Sequence, residues 1–389
     1  MNSENSYQIA IKVLKEASFE HGFLASVQNE ANYKRVWTRD SVICGLAALQ
    51  TNDTYLVQTF KKALITIFDH QHDAGFFPSN VGLEDKHLSF GGPVGRTDNT
   101  SWAIIGMCKF LIQHPDSNFA DRYFNNIVNG FKVLDAWEFN GKGLIYVPQS
   151  GNWADEYYQH GYLLMDQLLR VWALELAAEV YNLDHYKHKA TSLRTIIEEN
   201  FHGSNQHQKA YMPLIEKSKS NFPKDYWIGG FNPSTIYTNF DLLANTLAIY
   251  LKLGSSQIQE QLISFLKNTV NNSEFMIPSF SPTIEVDEPD FNTLLYLHSF
   301  KFRNFPHQFH NGGLWPVWNG FLAGVIANTD KRLAEEIGKR VDHACKLGTS
   351  ENQVWDFNEC FNGITNKTQG ISKCSWSAAG LILSKNAFL

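Results

Sequence analysis

The sequence predicts an all-α protein arranged as an (α/α)6 barrel: six helical hairpins closed in a ring, with the active site at the mouth of the inner helices. Three observations predict it. Apolar residues recur at three- and four-residue spacing in about a dozen segments, as they do in helices that bury one face. No comparable set of alternating apolar and polar residues marks strands, and Gly143 to Pro148 is at best one short hairpin arm. Before alternate helices the chain carries a polar-aromatic cluster, six in all, each about two helices from the next, the length of a helical hairpin.

The periodic segments run Tyr7 to Ala17, Ser41 to Ala48, Tyr55 to Phe68, Ser101 to Ile112, Phe119 to Ala136, Tyr162 to Tyr181, Tyr186 to Phe201, Asp241 to Leu253, Ile258 to Val270, Trp315 to Ala327, Lys331 to Leu347 and Trp376 to Leu383. The clusters are Trp37 to Asp40, Gly95 to Asn99, Trp153 to Glu156, Tyr237 to Asp241, His310 to Pro316 and Ser375 to Ser377. A ring of hairpins would bring all six to one mouth, where the N–H groups of helix starts favour hydroxyl and carboxylate partners. No Ser-, Pro- or Gly-rich linker divides the chain, so residues 1–389 read as a single catalytic domain, although Ser204 to Asn232 carries no legible pattern.

A net charge of −6 without a Lys/Arg cluster argues against nucleic acid, which needs concentrated positive charge, and suits a neutral polyol. No run of 18 apolar residues occurs, and the start has neither a basic nor an apolar leader region, which points away from the membrane and to the cytoplasm. Five cysteines without metal-type spacing read as free thiols. No HExxH, EF-hand, P-loop or dinucleotide motif occurs, so neither a metal nor a nucleotide cofactor is suggested. The oligomeric state is not encoded legibly. The aromatic share of 14% is high, and many of the rings stand beside Asp, Asn and Gly.

Two carboxylate sites stand out. Gly151 to Tyr162 holds Asp155 and Glu156 among Trp153, Tyr157 and Tyr158, and Trp355 to Gly363 holds Glu359. An inverting glycosidase needs one protonated carboxylic acid at the leaving oxygen and one carboxylate that activates water from the other face. Asp155 is the candidate acid, its aromatic neighbours being placed to limit hydration and raise its pKa. Glu156 is the alternative acid, and either residue could instead cap the helix that begins near Gly161. Glu359 is the candidate base, expected in a polar loop that keeps it ionised, with Asp356 the competing carboxylate.

On these residues the chain resembles the (α/α)6 glycoside hydrolases. Tyr33 to Asp40 and Phe309 to Val317 are similar to the alkaline and neutral invertases, whereas Glu359 to Gly363 with Ser375 to Ser377 is closer to the glycogen-debranching type of α-glucosidase. Two departures bear on the sugar rather than the fold. Glu156 and Tyr157 stand where invertases carry two arginines, and Glu359 lies four residues beyond Trp355 rather than directly after a Trp-Pro pair.

The resemblance implies that Arg39 and Asp40 bind hydroxyls of the terminal sugar, by a fork of donors and a bidentate acceptor. Asp98 reads similarly. For Arg39 and Asp40 a buried ion pair or a helix cap by Asp40 is the competing role, and for Asp98 a helix cap. Trp37, Trp153 and Trp315, with Trp102, are candidate stacking platforms, and His310 and Asn311 candidate hydroxyl partners; His160 is weaker. The leading function is therefore an inverting, exo-acting hydrolase of a small α-glucoside or sucrose-like saccharide, with a debranching-type α-glucosidase as the alternative. A sugar 2-epimerase working through histidines and a non-catalytic saccharide-binding protein are the alternatives of other classes.

Overall fold

The computed structural model describes residues 5–28, 30, 33–82, 86–204, 210–298, 300–348 and 354–388. Its first helices are α1 (Ser6–Glu16), α2 (Thr38–Thr51), α3 (Thr54–Asp69), α4 (Asp98–Gln113), α5 (Ser117–Ala136), α6 (Leu164–Tyr181) and α7 (Asp184–Asn200). They are followed by α8 (Pro213–Ser218), α9 (Leu242–Tyr250), α10 (Ser256–Asn271), α11 (Pro289–Leu294), α12 (Pro316–Ile326), α13 (Lys331–Lys346) and α14 (Ser375–Ser384). Every periodic segment of the sequence is one of these helices, and the short α8 and α11 are additional.

Burial separates two rings. Helices α2, α4, α6, α9, α12 and α14 are buried along nearly their whole length, while α1, α3, α5, α7, α10 and α13 bury one stripe. The buried set closes on itself, α2 against α4, α4 against α6, α6 against α9, α9 against α12, α12 against α14 and α14 back against α2. This is an (α/α)6 barrel. An inner helix surrounded on all sides must be apolar all round, and an outer one needs only an apolar face. Closure is tightest between α12 and α14. A Cβ built on Gly320 would stand 2.0 Å from Gly380 O, so these helices meet backbone to backbone.

Side-chain caps are common on the outer ring, where only α7 lacks one, and rare on the inner. Side chains of Asn5, Asp53, Asp116, Ser255 and Asp330 cap α1, α3, α5, α10 and α13. Among the inner helices only α9 has a side-chain cap, Asp241; α2, α4, α6, α12 and α14 have none.

Short antiparallel strands decorate the barrel: β1 (Ser18–Phe19), β2 (Gly22–Phe23), β3 (Val36–Trp37), β4 (Asn80–Gly82), β5 (His87–Ser89), β6 (Tyr162–Leu163), β7 (Ile228–Phe231), β8 (Ile236–Asp241), β9 (Phe280–Ser281), β10 (Cys360–Phe361) and β11 (Thr368–Gln369). They form sheets β1-β2, β3-β4-β5, β6-β7-β8-β9 and β10-β11. The sequence reading has no counterpart to these sheets. Two- to six-residue strands offer little alternation, and β7 carries Gly229 and Gly230, poor strand formers. Strands β3, β6 and β8 run directly into α2, α6 and α9, which is why the last two helices begin later than their periodicity suggests. Gly143 to Pro148 makes one bridge, Val147 to Gly161. All five cysteines are buried and unbridged, and among the described residues no helix is long and apolar enough to cross a membrane.

Candidate active site

The loop before α6 is tied to the start of α4. Thr97 N–H donates to Gly151 O at 2.6 Å, and Arg96 reaches both Ser150 O and Asp155 Oδ2, the latter at 2.6 Å. Asp155 is 31% exposed at its side chain. The expected apolar enclosure of Asp155 is not what the structure builds. Trp153 and Tyr157 turn inward instead, each stacked on Phe280 with ring centroids 5.7 and 4.4 Å apart, and the close neighbour of Asp155 is a guanidinium. Neither Asp155 nor Glu156 caps α6, whose N-cap position is Leu163.

Glu156 faces the other way and is buried. Arg303 forks onto it, Nε to Oε2 at 3.2 Å and Nη2 to Oε1 at 2.9 Å, while Asn304 donates to its backbone carbonyl at 2.6 Å. Arg303 also lies over the Phe309 ring, 3.7 Å from its centroid.

Glu359 enters from the loop before β10. Its Oε1 and Oε2 each lie 3.3 Å from the Tyr33 hydroxyl, and Oε2 accepts from Ile371 N–H at 3.3 Å. Burial pushes its carboxyl up to about 7, with Arg303 and the two donors pulling the other way. The polar, ionising loop expected for this residue is thus a buried niche furnished with donors. Tyr33, itself pushed above the ordinary tyrosine range by burial and by Glu359, stays protonated and donates. Asp356, the competing carboxylate, is fully buried, and its carbonyl accepts from Lys373 N–H.

Arg39 pairs with Asp98 at 3.1 Å. Asp40 sits in the first turn of α2 without capping it, and Asp98 opens α4 after its N-cap position Thr97, so neither takes the capping role. Asp40 is half-buried, and desolvation raises its carboxyl to about 6 against the pull of Arg39. Burial likewise raises Asp98, whose Oδ1 is buried without a partner among the described residues.

Trp153 and Trp315 form a floor beneath these groups. Trp315 stacks on His310 at 5.7 Å and 15°, and Trp153 meets His310, Trp315 and Trp318 edge to face. His310 is held well below the usual histidine range by burial and by three arginines, so it is neutral. The Asn311 amide bonds Ile284 N–H and O and Asn304 O, which makes it a brace of its loop. Trp37 is partly buried in β3, and Trp102 packs in the core against Trp172. His160 lies away with Asn232 and Tyr237.

Electrostatic reach places these residues near one another. The charge of Arg303 acts on Glu156, Glu359 and Asp155, that of Arg39 on Asp98, Asp40 and Asp155, and Asp40 acts on Glu359. Arg303 and Asn304 lie after α11, in a stretch without periodicity, and no motif singles them out. Arg96 stands inside a cluster that the sequence does mark and Tyr33 opens the segment that resembles the invertases, but their roles depend on which residues they meet.

The alkaline and neutral invertase family model matches residues 181–388, just over half of the chain. The chain belongs to the alkaline and neutral invertase family. This invertase-family protein is a glycoside hydrolase, and the epimerase and binding-protein readings give way accordingly. No curated protein matches it in sequence. Its fold is similar to that of the GH63 mannosylglycerate hydrolase from Thermus thermophilus in complex with glucose, with a TM-score of 0.70 and 12% identity over 98% of this chain and 100% of that one. It is also similar to the rhamnosidase from Klebsiella oxytoca with rhamnose bound, with a TM-score of 0.64 and 11% identity over 98% and 64% of the chains. A bacterial glucoamylase complexed with acarbose gives a TM-score of 0.60 at 15% identity over 99% and 56%.

Proposed function

We propose that residues 1–389 form one catalytic unit, an inverting, exo-acting hydrolase of a small α-glucoside or sucrose-like saccharide, with Asp155 as general acid and Glu359 as general base. The observation that carries this reading is the contrast between two carboxyls in the field of one guanidinium, Arg303. Glu359 is met by donors, Tyr33 O–H and Ile371 N–H, an environment for an acceptor. Asp155 stands partly exposed in the loop before α6. Glu359 would draw the proton from a water as it attacks the anomeric carbon, and a base poised near 7 is well matched to neutral pH. Asp155 would give its proton to the glycosidic oxygen. Arg96, which donates to Asp155 Oδ2, would yield that contact as the leaving oxygen arrives. The pair Arg39 and Asp98, with Asp40, would hold the terminal sugar, which closes one end of the site and supports exo action.

The test is a panel of sucrose, maltose, isomaltose, trehalose and glucosylglycerate followed by NMR, which reports the substrate and the anomer first released. Inversion gives the β anomer of glucose from an α-glucoside. Release of the α anomer, or no turnover of any member, would overturn the reading. Turnover of maltose or isomaltose but not sucrose would select the debranching-type alternative.

A further inference from the structure

Thr97 occupies the N-cap position of α4, yet its hydroxyl makes no capping bond. Its Oγ lies 2.9 Å from Gly151 O and 2.7 Å from Asp166 Oδ1. A hydroxyl has one proton to give. Gly151 O is a carbonyl and only accepts; an ionised Asp166 would only accept as well, so one of the two contacts would lack a proton. With a proton on Asp166 Oδ1 the chain has a single consistent direction: Asp166 donates to Thr97 Oγ, and Thr97 donates to Gly151 O. The other oxygen, Oδ2, accepts from Asn152 Nδ2 at 3.0 Å.

The surroundings favour that protonated form. Asp166 is 1% exposed on inner helix α6. Asp98 from α4 and Asp241 from the start of α9 both act on it, and burial first, then Asp98, pushes it up to about 7, while the hydrogen bonds from Asn152 and Thr97 pull the other way. Through Thr97 and Asn152 its two oxygens therefore hold both residues of the turn Gly151-Asn152. Asn152 Oδ1 in turn accepts from Ala154 N–H at 3.0 Å, one residue before Asp155.

We propose that Asp166 is a positioning residue for Asp155: its protonated carboxyl, relayed by the Thr97 hydroxyl, clamps the turn that carries the general acid, and ionisation of Asp166, which draws the Thr97 hydroxyl away from Gly151 O, loosens it. This rests on the reading of Asp155 as the acid. The clamp makes the acid loop sensitive to pH from behind, through a group that never meets the sugar.

Hydrogen–deuterium exchange of the peptide covering residues 148–158, in the full chain and corrected for intrinsic rates, tests the clamp without a substrate. In wild type the exchange should rise about fivefold or more between pH 6 and pH 8, since local opening sets exchange. Asp166→Asn puts an amide donor where Oδ1 stands and an acceptor where Oδ2 stands, so its exchange should stay low at both pH values. Thr97→Val should exchange fast at both. A wild-type rate that does not change with pH, or an Asp166→Asn variant that follows the wild-type rise, would overturn the clamp; the wild-type arm suffices if a variant does not fold. Failure of the acid reading shows separately, as full hydrolysis by Asp155→Asn, and would remove the catalytic consequence while the exchange pattern still decides the clamp.

Discussion

Tyr33 and Glu359 lie 326 residues apart in sequence, and the Tyr33 hydroxyl stands 3.3 Å from both oxygens of the Glu359 carboxyl. The contact joins the segment just before the first cluster of the chain to the last carboxylate loop, and closing the barrel is what brings them together. A donor shared by both oxygens stabilises the ionised carboxyl against the burial that raises it. Tyr33→Phe removes that donor and nothing else, so the pKa of Glu359 rises. The pH at which activity appears should then shift upward, and kcat at pH 7 should fall by about tenfold, with activity above pH 8 recovering most of the loss. A pH–rate profile of the variant with an unmoved acidic limb would separate Tyr33 from the base.

The direction of the profile follows from Glu359 itself. Its carboxyl is raised to about 7, so it is protonated below and ionised above that value. As general base it works ionised, and kcat/KM should rise as the pH passes from 6 to 8. As general acid it would work protonated, and activity would fall over the same interval. Glu359→Gln should lower kcat by roughly 10²-fold or more at every pH and abolish this limb.

Asp155→Asn should be selective in what it loses. Without a proton donor, turnover of natural saccharides should fall by roughly 10²-fold or more, because an alkoxide is a poor leaving group. A glycosyl fluoride needs little protonation to depart and should be hydrolysed by the variant within about tenfold of wild type. Equal losses on both substrates would assign Asp155 to binding.

Gly370 is left-handed at φ 73°, and a Cβ added to it would stand 2.2 Å from Glu359 Oε2. Gly370→Ala therefore strains the backbone by about 1 to 3 kcal/mol and displaces the base at once. Thermal denaturation should show a lowered Tm, and kcat should drop by more than the fraction unfolded accounts for. Normal kcat per folded molecule would show that the loop around Glu359 can shift.

Several buried acids make stability itself pH-dependent. Asp40 is raised to about 6, and Asp166, Asp241 and Glu359 to about 7, all by burial first. In the unfolded chain such groups ionise near pH 4. Between those values the folded protein binds more protons than the unfolded one, so its stability falls as the pH rises from about 5 to 8. The lowered His202 and His310 act in the opposite sense below about 6.5, but they are two against these four and Asp98, which burial raises as well. Calorimetry should find a higher Tm at pH 5.5 than at pH 8, and a flat or reversed trend would mean that these carboxyls are solvated.

Periodicity alone located the twelve long helices and their division into six hairpins, because a helix that packs must write its buried face every three or four residues. The same pattern places Asp155, Glu359, Arg39, Asp40 and Asp98 in loops before inner helices, where a ring must gather them. Tertiary structure alone decided what each residue meets. Arg39 pairs with Asp98 rather than with its neighbour Asp40. Asp155 meets Arg96, and Trp153 turns into the floor instead of shielding it. Arg303, from a stretch without any periodic mark, reaches Glu156 and acts on both candidate catalytic carboxyls. Periodicity records only which face a residue buries; the protonation and partner of a carboxyl depend on desolvation and on charges brought in from distant loops, and those exist only once the ring has closed.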